Sequence, residues 1–148
     1  MTNSNMKSFL NQLQHASIEA AIEAAELRTS GEIRVMIHPG ESTNPVESAA
    51  REFTRRGMHE TAHRNAVLIF VAPNARTFAI HADKAIYENC GPAFWSEIAS
   101  SMEADFRAGR FTEGIVAALA TTGRELARQF PHGGNDKNEL PNKVIDEG

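Results

Sequence analysis

The chain has one cysteine, Cys90, so no disulfide forms within it and no disulfide framework supports its fold. That usage fits a reducing compartment, and the protein is expected to be cytoplasmic. Tryptophan and tyrosine occur once each, which leaves eight phenylalanines and the aliphatic residues to fill a core. Positive charge is in deficit: 15 Lys and Arg against 19 Asp and Glu give a net charge of −4. No basic stripe stands out to neutralise phosphates, so nucleic acid is not an expected partner. Arg51, Arg55 and Arg56 come nearest to a cluster, but Glu47 and Glu52 sit among them and the group reads as a solvated helix face. No run approaches the roughly 20 apolar residues that cross a bilayer, so no direct membrane span is expected. Residues 1–7 are polar and lack the apolar core of a signal peptide. Gly-rich phosphate loops, GxSxG elbows and Walker motifs are all missing.

What is present is enough for one domain. A chain of 148 residues can bury roughly 70% of its unfolded surface. Residues 67–72, VLIFVA, form a continuous apolar run that is too short for a helix and is stopped by Pro73. This reads as a strand buried on both faces, the centre of a sheet. Pro73-Asn74-Ala75-Arg76 supplies turn chemistry, and residues 77–81 return as the second strand of a hairpin.

Upstream, residues 9–29 are rich in helix formers, with Leu10, Leu13, Ser17, Ala20, Ala24 and Leu27 at helical spacing and Gly31 suited to a left-handed cap. Residues 32–38 alternate as a strand, with Ile33, Val35 and Ile37 on one face and Met36 on the other. Pro45 opens a crossover helix along the stripe Val46, Ala50, Phe53 and Gly57. Strand, helix, strand in this order implies parallel pairing, so the hairpin makes the sheet mixed. Residues 82–91 read as a loop with one short helical turn. Pro92 starts a helix through Phe94, Ile98, Met102 and Phe106, widened by Trp95 and Ala99, and a last helix runs from Phe111 through Ile115, Leu119, Thr122 and Leu126 to Phe130.

The expected fold class is therefore α/β: a single-domain sandwich on a small mixed central sheet, in the order α-β-α-β-β-α-α. Residues 1–8 are expected to be a flexible N-terminus, 9–131 the domain and 132–148 a disordered tail. Within that tail Leu140, Val144 and Ile145 are isolated apolar residues that could dock on a partner or fold back on the domain.

Three blocks in this order resemble the TPM domain family. Thr29-Ser30-Gly31-Glu32-Ile33 is similar to the opening of such domains, the run from Arg64 to Pro73 to their central strand, and Phe106-Arg107-Ala108-Gly109-Arg110-Phe111 with Gly114 to their helix–helix junction. Gly57-Met58-His59 before the central strand resembles a short, freestanding bacterial branch without a defined function. The resemblance implies a compact α/β sandwich. It also implies activities described for some members: acid phosphatase, calcium binding, or help in maintaining membrane proteins. Longer members carry Arg-Asp-Asn before the central strand where this chain has His63-Arg64-Asn65, and a Gly-x-Gly turn where it has Asp83-Lys84-Ala85. Calcium wants six to eight oxygens, so losing that aspartate weakens the implied calcium site and the phosphatase reading with it.

Several residues could carry chemistry. His59-Glu60-Thr61-Ala62-His63 matches HExxH, the zinc metalloprotease pattern, but it sits in a short connection where a polar loop is the plain alternative. Parallel strands offer one rim after His38 and Ala72, with Glu41, Ser42, Thr43 and Asn74. The opposite rim brings Glu32, the His59–Asn65 loop and Asp83 together. There Glu32, His59, His63 and Asp83 are candidate ligands for a divalent metal. Glu32, His59, Arg64, Asn65 and Asp83 are candidate catalytic residues for phosphate-ester hydrolysis, with Arg64 holding the anion. Each has a structural alternative: Glu32 as a cap or a salt bridge to a neighbouring helix, Asp83 as a cap of the turn before Lys84, Asn65 as a partner for loop backbone, His81 as a half-buried strand histidine. Cys90 lacks a Cys-x5-Arg loop because residue 96 is Ser96, and reads as a spectator thiol. Two functions follow: a binding or accessory module for a protein partner, and a weak metal-assisted phosphatase-like hydrolase.

Overall fold

The computed structural model describes residues 15–38, 44–72, 76–132 and 144–146. The chain runs α1 (His15–Glu26), β1 (Glu32–Ile37), α2 (Pro45–Arg55), a 3-10 turn (Met58–Glu60), β2 (Ala66–Ala72), β3 (Thr77–Ala82), α3 (Lys84–Cys90), α4 (Pro92–Arg107), α5 (Phe111–Gln129) and β4 (Ile145–Asp146). The sheet order is β3-β2-β1-β4. β1 lies parallel to β2, and β3 returns antiparallel to β2. All seven residues of β2 are buried, as an unbroken apolar run in an interior strand requires.

Alternation along the strands divides the core in two. Ile33, Val35, Ile37, Val67, Ile69 and Val71 face α1, α4 and α5; Met36, Leu68 and Phe70 face α2 and Met58. Helices thus cover both faces of a mixed sheet, the α/β sandwich that the patterning implies. No helix among the described residues is long and apolar enough to cross a membrane.

Four local expectations are corrected. In α1 the buried stripe is Ile18, Ala21, Ile22 and Ala25, whereas Ser17, Ala20 and Ala24 point outward and Leu27 is 70% exposed. The two β-branched isoleucines fill the groove against α5 better than a row of alanines. In α2 the buried residues are Ala49, Glu52 and Phe53, and Val46 is exposed; Glu52 accepts hydrogen bonds from Arg55 and Arg56, which lets it leave water. Residues 84–90 are a full helix rather than a single turn, because the Asp83 side chain caps Lys84 N at 2.8 Å and Ile86 anchors it in the core. Of the expected tail beyond His132, only residues 144–146 are described; there Val144 packs on the core and β4 pairs with β1, the fold-back alternative, while Leu140 lies outside the described residues.

Gly31 is not a left-handed cap. A Cβ there would stand 2.8 Å from Leu126 Cδ2 and 3.1 Å from the Asn65 carbonyl, so glycine serves close approach of α5 and β2. Thr29 locks the same corner: its Oγ1 donates to the carbonyls of Leu126 and Phe130 and accepts from Gly31 N at 3.0 Å. Gly123 plays the equivalent part between α5 and α1, where an added Cβ would lie 2.7 Å from Ala25 Cβ.

Candidate functional site

The start of β1, the start of β2 and the end of β3 share one rim of the sheet. Glu32 stands opposite Ala66, and Asp83 N donates to the Ala66 carbonyl at 2.9 Å. Glu32, Ala66 and Asp83 therefore form one row across the sheet. With strands spaced about 4.8 Å apart, the two acidic backbones are about 10 Å from each other.

Their side chains go separate ways. Asp83 turns to Arg64, whose Nε reaches Oδ2 and whose Nη2 reaches Oδ1, both at 2.8 Å, a two-pronged charge-assisted pair. Arg64 holds this pose from a left-handed backbone (φ 51°), and its carbonyl accepts Ala85 N at 3.2 Å. Burial would raise the Asp83 carboxyl, but the Arg64 fork, the Lys84 N–H and the nearby His81 outweigh it and hold the group below its usual range. Asp83 is 4% exposed whereas the Arg64 side chain is 51% exposed, so the cap is made inside the fold and the ion pair runs from a buried acid to a guanidinium at the surface.

Glu32, 2% exposed, belongs to a different neighbourhood. On the outer edge of β1, the last turn of α1 places Glu26 so that its Oε2 accepts Ile33 N at 2.8 Å. Burial pushes the Glu26 carboxyl up to about 9; the Ile33 N–H acts against that, and the like charge of Glu32 adds to it. Arg34 follows two residues on in β1. Its Nε is buried without a hydrogen-bond partner, and burial, then the neighbouring Arg56, pulls the guanidinium below its ordinary range.

The remaining candidates are scattered. Asn65 is buried and its Nδ2 donates to Ser30 Oγ at 3.3 Å, tying the entries of β1 and β2, while its Oδ1 has no partner. His59 lies on the 3-10 turn with a buried, unpartnered Nδ1, whereas His63 is exposed with its ring 6.5 Å from that of Phe130 at the end of α5. The HExxH stretch is a 3-10 turn followed by turn and bend, not a helix, so its histidines do not share a helical face. Among the described residues no group of three His, Cys, Asp or Glu is close enough to hold a metal ion. His81 is half-buried, with its ring 4.5 Å from that of Phe53 and its pKa lowered, chiefly by burial. Burial first, offset by a hydrogen bond from Gln129 Nε2 (3.3 Å), keeps the Cys90 thiol above its ordinary range and hence a poor nucleophile. Glu41, Ser42, Thr43 and Asn74 at the other rim lie outside the described residues.

The sequence reading missed Glu26 and Arg34. One signal was available for each. Glu26 puts an acid in the last turn of a helix, where the macrodipole disfavours it. Arg34 interrupts a strand that is otherwise apolar and buried after its first residue.

The architecture is thus that of a small two-faced α/β sandwich with acidic groups gathered at one rim of its sheet. A family model described as TPM domain matches residues 4–125. The NMR structure of BA42 protein from the psychrophilic bacterium Bizionia argentinensis is similar at a TM-score of 0.82 and 34% identity, over 90% of this chain and 94% of that one. No curated protein matches. The chain belongs to the TPM domain family.

Proposed function

We propose that this TPM domain is a non-enzymatic binding module for a protein partner. The observation that carries this reading is the Arg64–Asp83 pair. Phosphate-ester hydrolysis at this rim needs Arg64 for the substrate anion and Asp83 for acid–base work or metal ligation. Both Asp83 oxygens instead accept from Arg64 at 2.8 Å, and Oδ1 also accepts Lys84 N at the start of α3, so the carboxylate is committed to the fold.

A divalent cation fits these residues poorly. Calcium takes six to eight oxygens, yet both Asp83 oxygens are engaged and Glu32 is enclosed about two strands away. His59 and His63 do not close the gap, since no three candidate ligands converge among the described residues. The hydrolase reading, with Glu32, His59, Arg64, Asn65 and Asp83 as its residues, is the competitor.

The deciding experiment is p-nitrophenyl phosphate turnover from pH 4 to 8 with calcium, magnesium, manganese and zinc, alongside thermal melting with each ion. A module shows no turnover beyond that of a Glu32→Gln/Asp83→Asn variant, and no rise in Tm, since only a ligand of the native state stabilises it. Turnover that disappears in that variant establishes the hydrolase instead.

A further inference from the structure

β3 ends the sheet on the side away from β4, and β2 is its one strand partner among the described residues. Asp83 N donates to the Ala66 carbonyl, and along an antiparallel strand the inward and outward backbone groups alternate. Thr77, Ala79 and His81 therefore turn their N–H and C=O groups to β2. Phe78, Ile80 and Ala82 turn theirs outward, where no described strand lies. Natural edge strands are guarded by lysine, proline or a bulge. This one has no proline and no Lys, Arg, Asp or Glu, and its register with β2 is unbroken. Phe78, Ile80 and His81 are half-buried rather than enclosed.

The strand's own sequence narrows what fits there. About Ile80, large and small residues mirror one another: Phe78 against Ala82, and His81 against Ala79. Consider a second β3 run antiparallel, with the two Ile80 residues opposite each other. Every outward N–H and C=O then finds a partner, Phe78 lies beside Ala82, His81 lies beside Ala79, and isoleucine meets isoleucine at the axis. A two-fold interface needs this kind of self-complementarity.

The helix over this edge matches itself in the same way. Ala49 and Phe53 of α2 face the sheet, with the Phe53 ring on His81 of β3, while Arg56, held by Glu52, lies toward Arg34 of β1. At 3.6 residues per turn, the opposite flank of α2 carries Val46, Ala50 and Thr54 above the β3 edge. Val46 is 68% exposed. A two-fold axis at Ile80 sets the two α2 helices antiparallel. Ala50 then approaches Ala50, and the exposed Glu47 of one copy comes beside the exposed Arg51 of the other.

We propose that a second copy of this chain docks on the β3 edge, joining two sheets into one across an Ile80–Ile80 axis with the α2 helices side by side. The dimer goes beyond the binding-module reading and does not depend on it.

Sedimentation of the full chain at micromolar to millimolar concentration reads the association. The unmodified chain sediments as a dimer. Ile80→Lys sets two like charges face to face at the axis and weakens the dimer about 10-fold or more. Residues opposed in such a hydrogen-bonded pair stand about 5.5 Å apart at Cα, within disulfide reach. In a Cys90→Ser background, oxidation therefore cross-links Ile80→Cys into a covalent dimer but not Phe78→Cys, which faces Ala82. This pair decides the matter if Ile80→Lys does not fold by circular dichroism. A monomer at every concentration, a dimer that Ile80→Lys leaves unchanged, or equal cross-linking through both cysteines overturns the proposal.

Discussion

Asp83 and Glu26 are both acidic side chains drawn out of water beside strands of one sheet, yet they settle on opposite sides of the ordinary carboxyl range. Asp83 meets a guanidinium fork and a helix N-terminus, so its charge is retained in spite of burial. Glu26 is buried with one backbone N–H and with Glu32, whose like charge and side-chain hydrogen bond add to the effect of burial, so its carboxyl is pushed up. Burial acts the same way on both. What differs is the partner, and the contrast teaches that an acidic rim is not yet a site. One carboxylate is already spent, and burial drives the other toward its protonated form.

Breaking the Asp83 side should have the largest effect. Asp83→Ala removes a helix cap, while the exposed Arg64 returns to water, an expected loss of about 1–2 kcal/mol at pH 7 in urea melts. Because the folded group titrates below its unfolded value, that contribution is complete above about pH 4. It is lost as pH falls through the folded value, so the gap between parent and variant closes in acid. A loss under about 0.5 kcal/mol at pH 7 means that the pair is a surface ornament.

Glu26→Gln has the opposite sign. The folded group titrates near 9 against an ordinary 4.5, so the native state holds a proton that the unfolded chain releases across that window. Stability contributed by this group is full below pH 4.5 and declines as pH rises toward 9. Glutamine keeps an acceptor for Ile33 N and has no proton to lose. The variant should therefore be more stable than the parent by about 1 kcal/mol or more near pH 8, with the slope of stability between neutral and alkaline pH flattened. A variant less stable than its parent there contradicts the protonated Glu26.

The smallest effect sharpens the cause. Glu32→Gln removes the like charge and should lower the Glu26 midpoint, but only partly, because burial is the larger reason for its displacement. A midpoint restored to the ordinary range makes Glu32 the dominant cause instead.

Much of the fold was legible because its signals are local. β2 is an apolar run closed by proline, β1 alternates, and Pro45 and Pro92 mark helix starts. The misread parts depend on what lies across the fold. The α1 stripe was phased on Leu27, which tertiary packing leaves outside, while Ile18 and Ile22 meet α5. The α3 cap is visible as Asp83 before Lys84-Ala85-Ile86, and the cap is one of the two readings the sequence supports for that aspartate. β4 is two residues long, below any periodicity.

Site residues were harder still. Glu32 and Asp83 were rightly assigned to one rim, since strand register fixes it. That Arg64 takes both Asp83 oxygens depends on its left-handed backbone, and the upward shift of Glu26 depends on α1 burying that carboxyl against Ile33 N. Neither leaves a mark in a linear pattern.

The most direct measurement is a carboxyl 13C NMR titration of Asp83 and Glu26, with and without calcium or magnesium. The account predicts Asp83 titrating below its ordinary 3.8 and Glu26 near 9, with neither midpoint moved by the ions. An ion that pulls the Glu26 midpoint down, or that displaces the Asp83 signal from its Arg64-bound position, contradicts it and shows that these acids belong to a metal rather than to the fold.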